Sequence, residues 1–149
     1  MGDESSMMLF SVKGFVFAIE VGDLLEVAEI SAERISVCEE GSFSYRFDFR
    51  GNDTPVVDMS RRICGMPTSV TGLLQLLVVE IDSRPFALMI DRVLEVVKRA
   101  GIVYRFPDML RTEENRYIKA IYRLNNTMCM EIGAGSVLKD NELAELRAS

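Results

Sequence analysis

The run Phe17-Ala18-Ile19-Glu20-Val21-Gly22-Asp23-Leu24-Leu25-Glu26-Val27 returns 69 residues later as Phe86-Ala87-Leu88-Met89-Ile90-Asp91-Arg92-Val93-Leu94-Glu95-Val96. At the same offset, Met8-Leu9-Phe10-Ser11-Val12-Lys13-Gly14 lies opposite Leu77-Val78-Val79-Glu80-Ile81-Asp82-Ser83, each an apolar strand running into a turn. Further on, Arg50-Gly51-Asn52-Asp53-Thr54 with Asp58 matches Arg123-Leu124-Asn125-Asn126-Thr127 with Glu131 at an offset of 73. Three matches in order at a nearly constant spacing imply two related halves, so the fold must be one that a duplicated small unit can build.

Within each half the apolar period is that of strands. Phe43, Tyr45, Phe47 and Phe49 alternate with polar residues, which predicts one aromatic face. Lys13-Gly14, Gly51-Asn52-Asp53, Asp82-Ser83-Arg84 and Asn125-Asn126 supply residues that tolerate positive φ or form Asx turns, so hairpins are expected there. Pro55 and Pro85 are tolerable as strand openers. Helix is scarce: Ser60 caps a single turn through Cys64 that Gly65 ends, and Asp140 or Asn141 caps a short helix over 142–147 with Leu143 and Leu146 on one side. About ten short strands in two equivalent halves predict an all-β chain of two small packed barrels, because closure removes exposed strand edges.

Composition removes several classes of function. A chain of 149 residues buries roughly 70% of its unfolded surface, enough for one domain with a real core. With a formal charge of −6 there is no basic field to displace counterions from nucleic acid. No apolar run approaches the roughly 20 residues that span a bilayer, and the first six residues are acidic where a signal peptide is basic, so a cytoplasmic location without membrane insertion is expected. Histidine is absent, which takes away the commonest general base, the commonest metal ligand and every Ser-His or Cys-His pair. Cys38, Cys64 and Cys129 are widely spaced, suiting neither a disulfide framework nor a zinc site. No cofactor and no metal is implied, and no catalytic residue stands out.

The remaining short motifs are weak. Gly133-Ala134-Gly135-Ser136 follows a strand without opening a long helix and reads as a turn rather than a phosphate loop. Asn52-Asp53-Thr54 and Asn125-Asn126-Thr127 match a glycosylation pattern that requires secretion, and Met1-Gly2 with Ser6 matches a loose myristoylation pattern. Asp48, Asp58, Asp82 and Asp91 sit near strand ends, where turn capping and solvation account for them.

Taken in order, Leu24-Leu25-Glu26-Val27, Asp48-Phe49-Arg50-Gly51, Pro55-Val56-Val57-Asp58-Met59, Ile90-Asp91-Arg92-Val93-Leu94-Glu95-Val96 and Tyr117-Ile118-Lys119-Ala120 resemble the CheW-like family over roughly residues 9–138. The resemblance implies a single domain over 1–149 made of two five-stranded, SH3-like β-barrels around a shared core, with a short C-terminal helix and a flexible segment over 1–8. It also implies a non-enzymatic chemotaxis adaptor. One surface would pair with the regulatory domain of a CheA-type histidine kinase, and a groove between the barrels would hold the cytoplasmic tip of a methyl-accepting chemoreceptor. The positions carried over as partner-binding are Glu26, Val27, Arg50, Gly51 and Asp58, with Glu26 and Arg50 expected to form an ion pair that orients the receptor-facing surface.

Between Ile30 and Phe47 this chain departs from the family pattern. Ser36-Val37-Cys38-Glu39-Glu40-Gly41 and Tyr45 stand where the family has a Pro-rich segment and a glycine, and Asp48-Phe49 replaces Asn-Leu. Two other readings therefore stay open: a CheW-like protein that binds a CheA-type kinase without a receptor, and a small-molecule-binding barrel or enzyme using its carboxylates with Arg50 or Arg123. A deep pocket lined by converging polar groups favours the last of these.

Overall fold

The computed structural model describes residues 6–98, 102–104, 107–124 and 126–148. Twelve strands follow one another as β1 (Ser6–Val12), β2 (Phe15–Glu20), β3 (Leu24–Ser31), β4 (Ser36–Val37), β5 (Tyr45–Phe49), β6 (Asn52–Asp58), β7 (Leu73–Ile81), β8 (Arg84–Ile90), β9 (Arg92–Lys98), β10 (Ile102–Tyr104), β11 (Ile118–Leu124) and β12 (Thr127–Ile132). Three α-helices, α1 (Met59–Cys64), α2 (Ala134–Val137) and α3 (Asp140–Ala148), and four single 3-10 turns complete the set among the described residues.

The strands form two curled sheets in the orders β10-β11-β12-β2-β1-β9 and β3-β7-β8-β6-β5-β4, here called sheet A and sheet B. Each has five long strands and one short one, β10 or β4, so the expected five-stranded barrels are present with a small addition. The halves of the chain are not the barrels, however. β1 and β2 of the first half complete sheet A, and β7 and β8 of the second half complete sheet B. Neither barrel can form without strands from the other half, so the two are expected to fold and melt together.

The duplication holds at the level of single residues. The Lys13-Gly14 turn joins Val12 to its partner Phe15, and the Asp82-Ser83 turn joins Ile81 to Arg84, which keeps the offset at 69. All four turn residues have positive φ, from 51° to 83°, as a two-residue hairpin matched to strand twist requires. The pairings of the equivalent edge strands β3 and β9 each carry one bulge at the same place: the register jumps between Leu24 and Glu26 against β7, and between Val93 and Glu95 against β1. The extra residues are Leu25 and Leu94. In the second hairpins Phe49 pairs with Asn52 and Leu124 with Thr127, so the true offset there is 75, and the match at 73 read from sequence is two residues out of register. A two-residue slip keeps every side chain on its proper face, which is why the pattern tolerated it.

Three cores result. Sheet B closes around Ile30, Phe47, Phe49, Val56, Leu76, Val78 and Met89. Sheet A encloses the smaller set Met7, Leu9, Ala18, Tyr122 and Cys129. Between the sheets lies the largest core, which takes Phe10, Phe17 and Ile19 from one and Leu77, Val79, Phe86 and Leu88 from the other, sealed by Leu138 and Leu146. Phe10 and Phe17 stack at 5.8 Å across the β1–β2 pair. Each of these fully buried side chains contributes about 1.5–3 kcal/mol, so the interface between barrels is a major share of the stability.

Local departures have physical causes. β1 begins at Ser6 with Met7 buried, so residues 6–8 belong to the sheet rather than to the expected flexible segment; residues 1–5 lie outside the described residues. The aromatic face splits, because β5 starts only at Tyr45: Tyr45, Phe47 and Phe49 face the sheet B core, while Phe43 joins the core between barrels. Pro55 sits inside β6, where the ladder to β8 starts one residue later at Val56. Asp58, not Ser60, caps α1, and Gly65 ends it with φ 75°. The 133–136 segment expected as a turn winds into the single turn of α2. Asn125 of the Asn125-Asn126 turn lies outside the described residues.

Candidate docking site

Glu26 and Arg50 come from far apart in sheet B, one on its edge strand β3, the other in the β5–β6 turn beside the opposite edge. Curling brings them together: an Arg50 guanidinium nitrogen donates to Glu26 Oε1 at 3.0 Å. Arg50 has φ 54° and Gly51 φ 83°, the tight turn that projects the guanidinium, which also lies over the Phe49 ring at 4.6 Å. At 63% and 42% exposed, the two side chains form a surface pair worth under about 1 kcal/mol. The pair therefore fixes a charge pattern at the mouth of the barrel without holding the barrel together.

Val27 faces elsewhere. After the bulge at Leu25, side chains alternate, so Glu26 shares a face with Ala28 and Ile30 on the sheet B core, and Val27 points the other way. Its register partner on β7 is Leu77, a member of the core between barrels. The equivalent residue Val96 on β9 pairs with Met8, which also packs on that core. Leu24 and Val93, equivalent residues near the starts of β3 and β9, both pack against it too. Across the junction the Val93 amide donates to Gln75 of β7 at 2.8 Å, which ties the edge of sheet A to the strand beside β3. Two edge strands thus flank the seam between barrels, and along them the shared core runs out to solvent at Val27 and Val96, 44% and 55% exposed, with the bulged Leu25 and Leu94 beside them. Unpaired edges with exposed apolar residues are a surface that favours a partner.

Leu25, Leu94 and Val96 were not singled out from sequence, although the 69-residue offset from Val27 leads straight to Val96. Asp58, by contrast, does not join this surface. It is buried, and its carboxylate accepts from the amides of Arg61 at 3.4 Å and Thr68 at 2.8 Å as well as from the Thr68 hydroxyl. Asp58, expected as partner-binding, thus has its carboxylate engaged within the 58–68 segment, whose shape it sets.

The departing segment 36–45 also has a structural occupation. Ser42 donates its amide to Glu145 of α3 at 2.6 Å, and the same carboxylate accepts from Arg46 at 3.1 Å. These contacts, the Ser42 amide first, hold the Glu145 carboxyl below the usual range. Arg62 meets Glu142 at 2.6 Å and also donates to the Val137 carbonyl, while Arg116 meets Asp140 and Arg147 meets Asp82. Ion pairs thus fasten α3 along its whole length. Among the described residues no group of acidic, Cys or His side chains could hold a metal ion, and no helix is long and apolar enough to cross a membrane.

Comparison with known proteins agrees with this geometry. The model of the CheW-like domain matches residues 6–142. The chain belongs to the CheW-like domain family. The crystal structure of the scaffolding protein TtCheW from Thermoanaerobacter tengcongensis is similar over 93% of this chain and 95% of its own, with a TM-score of 0.76 at 20% identity. That likeness shows the fold: two SH3-like barrels with short C-terminal helices. No curated protein matches the chain significantly.

Proposed function

We propose that this CheW-like domain is a non-enzymatic adaptor of chemotaxis signalling that couples the cytoplasmic tip of a chemoreceptor to a CheA-type histidine kinase. The observation that carries the reading is the seam: Val27 and Val96, equivalent residues on two edge strands, extend the core between barrels to the surface. A helical hairpin that covers both valines bridges the two barrels and takes a fixed orientation on them. Glu26 and Arg50 then present a matched charge pair on the far face of β3, where Gly51 permits the turn. The adaptor makes and breaks no bond. It holds receptor and kinase in one mutual orientation, so that a receptor shift changes the population of active kinase.

Co-sedimentation with receptor-containing membranes and CheA tests this reading. The native chain is expected to pellet with both partners, Val27→Asp with Val96→Asp to lose the receptor, and Arg50→Ala to keep its fold with receptor association weakened several-fold. Failure of the native chain to pellet with the receptor or the kinase overturns the reading.

One observation favours a second reading, in which the kinase is bound and the receptor is not. Segment 36–45 departs from the family pattern and is engaged by Glu145, so it is committed to holding α3. Pelleting that depends on kinase and is indifferent to receptor is the outcome this second reading requires.

A further inference from the structure

A cavity of about 400 Å³ opens where β5, β6 and α1 face the 114–117 and 136–142 segments. None of its lining residues lies on β3 or β9, the strands that flank the seam. The segments that follow β6 and β12, equivalent positions in the two halves, form its opposing walls. Its volume lies in the range of small-molecule sites.

The charges that line it divide into committed and uncommitted groups. Asp58 accepts from Thr68 and the α1 amide, neutral donors that fix its carboxylate and leave its charge in place, and the Arg62–Glu142 pair neutralises itself. Arg116 is engaged by the Leu138 carbonyl and Asp140. Arg61 and Lys139 remain: both are exposed, both line the cavity, and neither guanidinium nor ammonium has a partner among the described residues. Opposing them is the exposed carboxylate of Glu114. Hydroxyl donors surround the same space, from Ser44, Ser136 and the largely buried Tyr117, over an apolar floor that includes Leu138. Burial raises the Tyr117 phenol above its ordinary value, against the opposing charge of Arg62, so at neutral pH it is an O–H donor.

Two free cations, several hydroxyl donors and an apolar floor match one ligand class. We propose that this cavity binds a small organic phosphate, its dianion met by Arg61 and Lys139 and its apolar body lying against Tyr117 and Leu138. A dianion suits two separate cations better than a carboxylate does, and an arginine fork fits phosphate oxygens well. The ligand touches segments that follow β6 of sheet B and β12 of sheet A and therefore braces one barrel against the other. This site is independent of the adaptor role.

Amide NMR titrations with phenyl phosphate, benzoate and inorganic phosphate test the proposal. Phenyl phosphate is expected to give saturable shifts at Arg61, Tyr117, Ser136 and Lys139, with weaker binding of the other two probes. Arg61→Ala with Lys139→Ala removes two exposed side chains, so circular dichroism stays native while binding falls at least tenfold; Glu114→Gln tightens it several-fold. No saturation by about 10 mM phenyl phosphate, a range that spans even millimolar affinity, overturns the proposal, as does undiminished binding by the double variant.

Discussion

Replacing Glu142 with alanine isolates the strongest polar tie between α3 and the barrels. Its carboxylate does two things at once: Oε2 meets Arg62 at 2.6 Å, and Oε1 accepts from the Lys139 amide at 2.8 Å just ahead of α3. The side chains of Arg62 and Glu142 are 13% and 8% exposed, so water replaces little of what is lost. Leaving one member of a buried pair alone costs about 3–5 kcal/mol. The lower end, about 3 kcal/mol, applies here because Arg62 keeps the Val137 carbonyl. At about 2.1 cal/mol/K per residue the unfolding entropy of a chain this size is about 0.3 kcal/mol/K, so the melting point is expected to fall by about 10 °C. Urea unfolding followed by circular dichroism gives the free energy, and a thermal scan gives the shift. Arg62→Met with Glu142→Leu, which removes both charges, is expected to recover most of the loss. A loss below about 1 kcal/mol for Glu142→Ala, with an unchanged urea slope, refutes the claim that this pair holds α3 in place.

Gly51→Ala is expected to destabilise the protein by about 1–2 kcal/mol in urea, because φ 83° is costly for a residue with a Cβ although that atom meets no neighbour within 4 Å. Glu145, whose folded pKa is depressed, contributes stability that is fully present above the unfolded value of about 4.3 and lost as pH falls through the folded one. Melting points measured from neutral pH downward should thus fall less steeply below that value in Glu145→Gln than in the native chain. Burial, aided by Glu131, raises the Cys129 thiol, so a thiol reagent at neutral pH should label exposed Cys64 rapidly and Cys129 only on unfolding.

Strands and turns were legible because two-residue hairpins demand special backbone at Lys13-Gly14 and Asp82-Ser83, and such residues punctuate a sequence clearly. The duplication was legible for the same reason. The exchange of β1–β2 for β7–β8 was not, since an internal match reports which strands are equivalent and says nothing of which sheet each one enters. Bulges at Leu25 and Leu94 were likewise hidden, because the doubled apolar residues Leu24-Leu25 and Val93-Leu94 that mark them also suit an unbroken buried strand. Glu26 and Arg50 were named from a family resemblance, and their juxtaposition required the sheet to curl. The bonds of Asp58 were not legible, because a carboxylate at a strand end reads alike whether it faces solvent or caps a helix, and its partner Thr68 lies ten residues away. The cavity at Arg61 and Lys139 gathers side chains from four separate segments, and no local pattern announces it.

Mapping a receptor hairpin peptide onto the isotopically labelled chain by amide NMR tests the seam most directly. Shifts are expected together on β3 around Val27 and on β9 around Val96, and Val96→Asp should weaken the peptide's effect at Val27 as well. Perturbations confined to one barrel, or none at either strand at saturating peptide, contradict a docking face shared by the two.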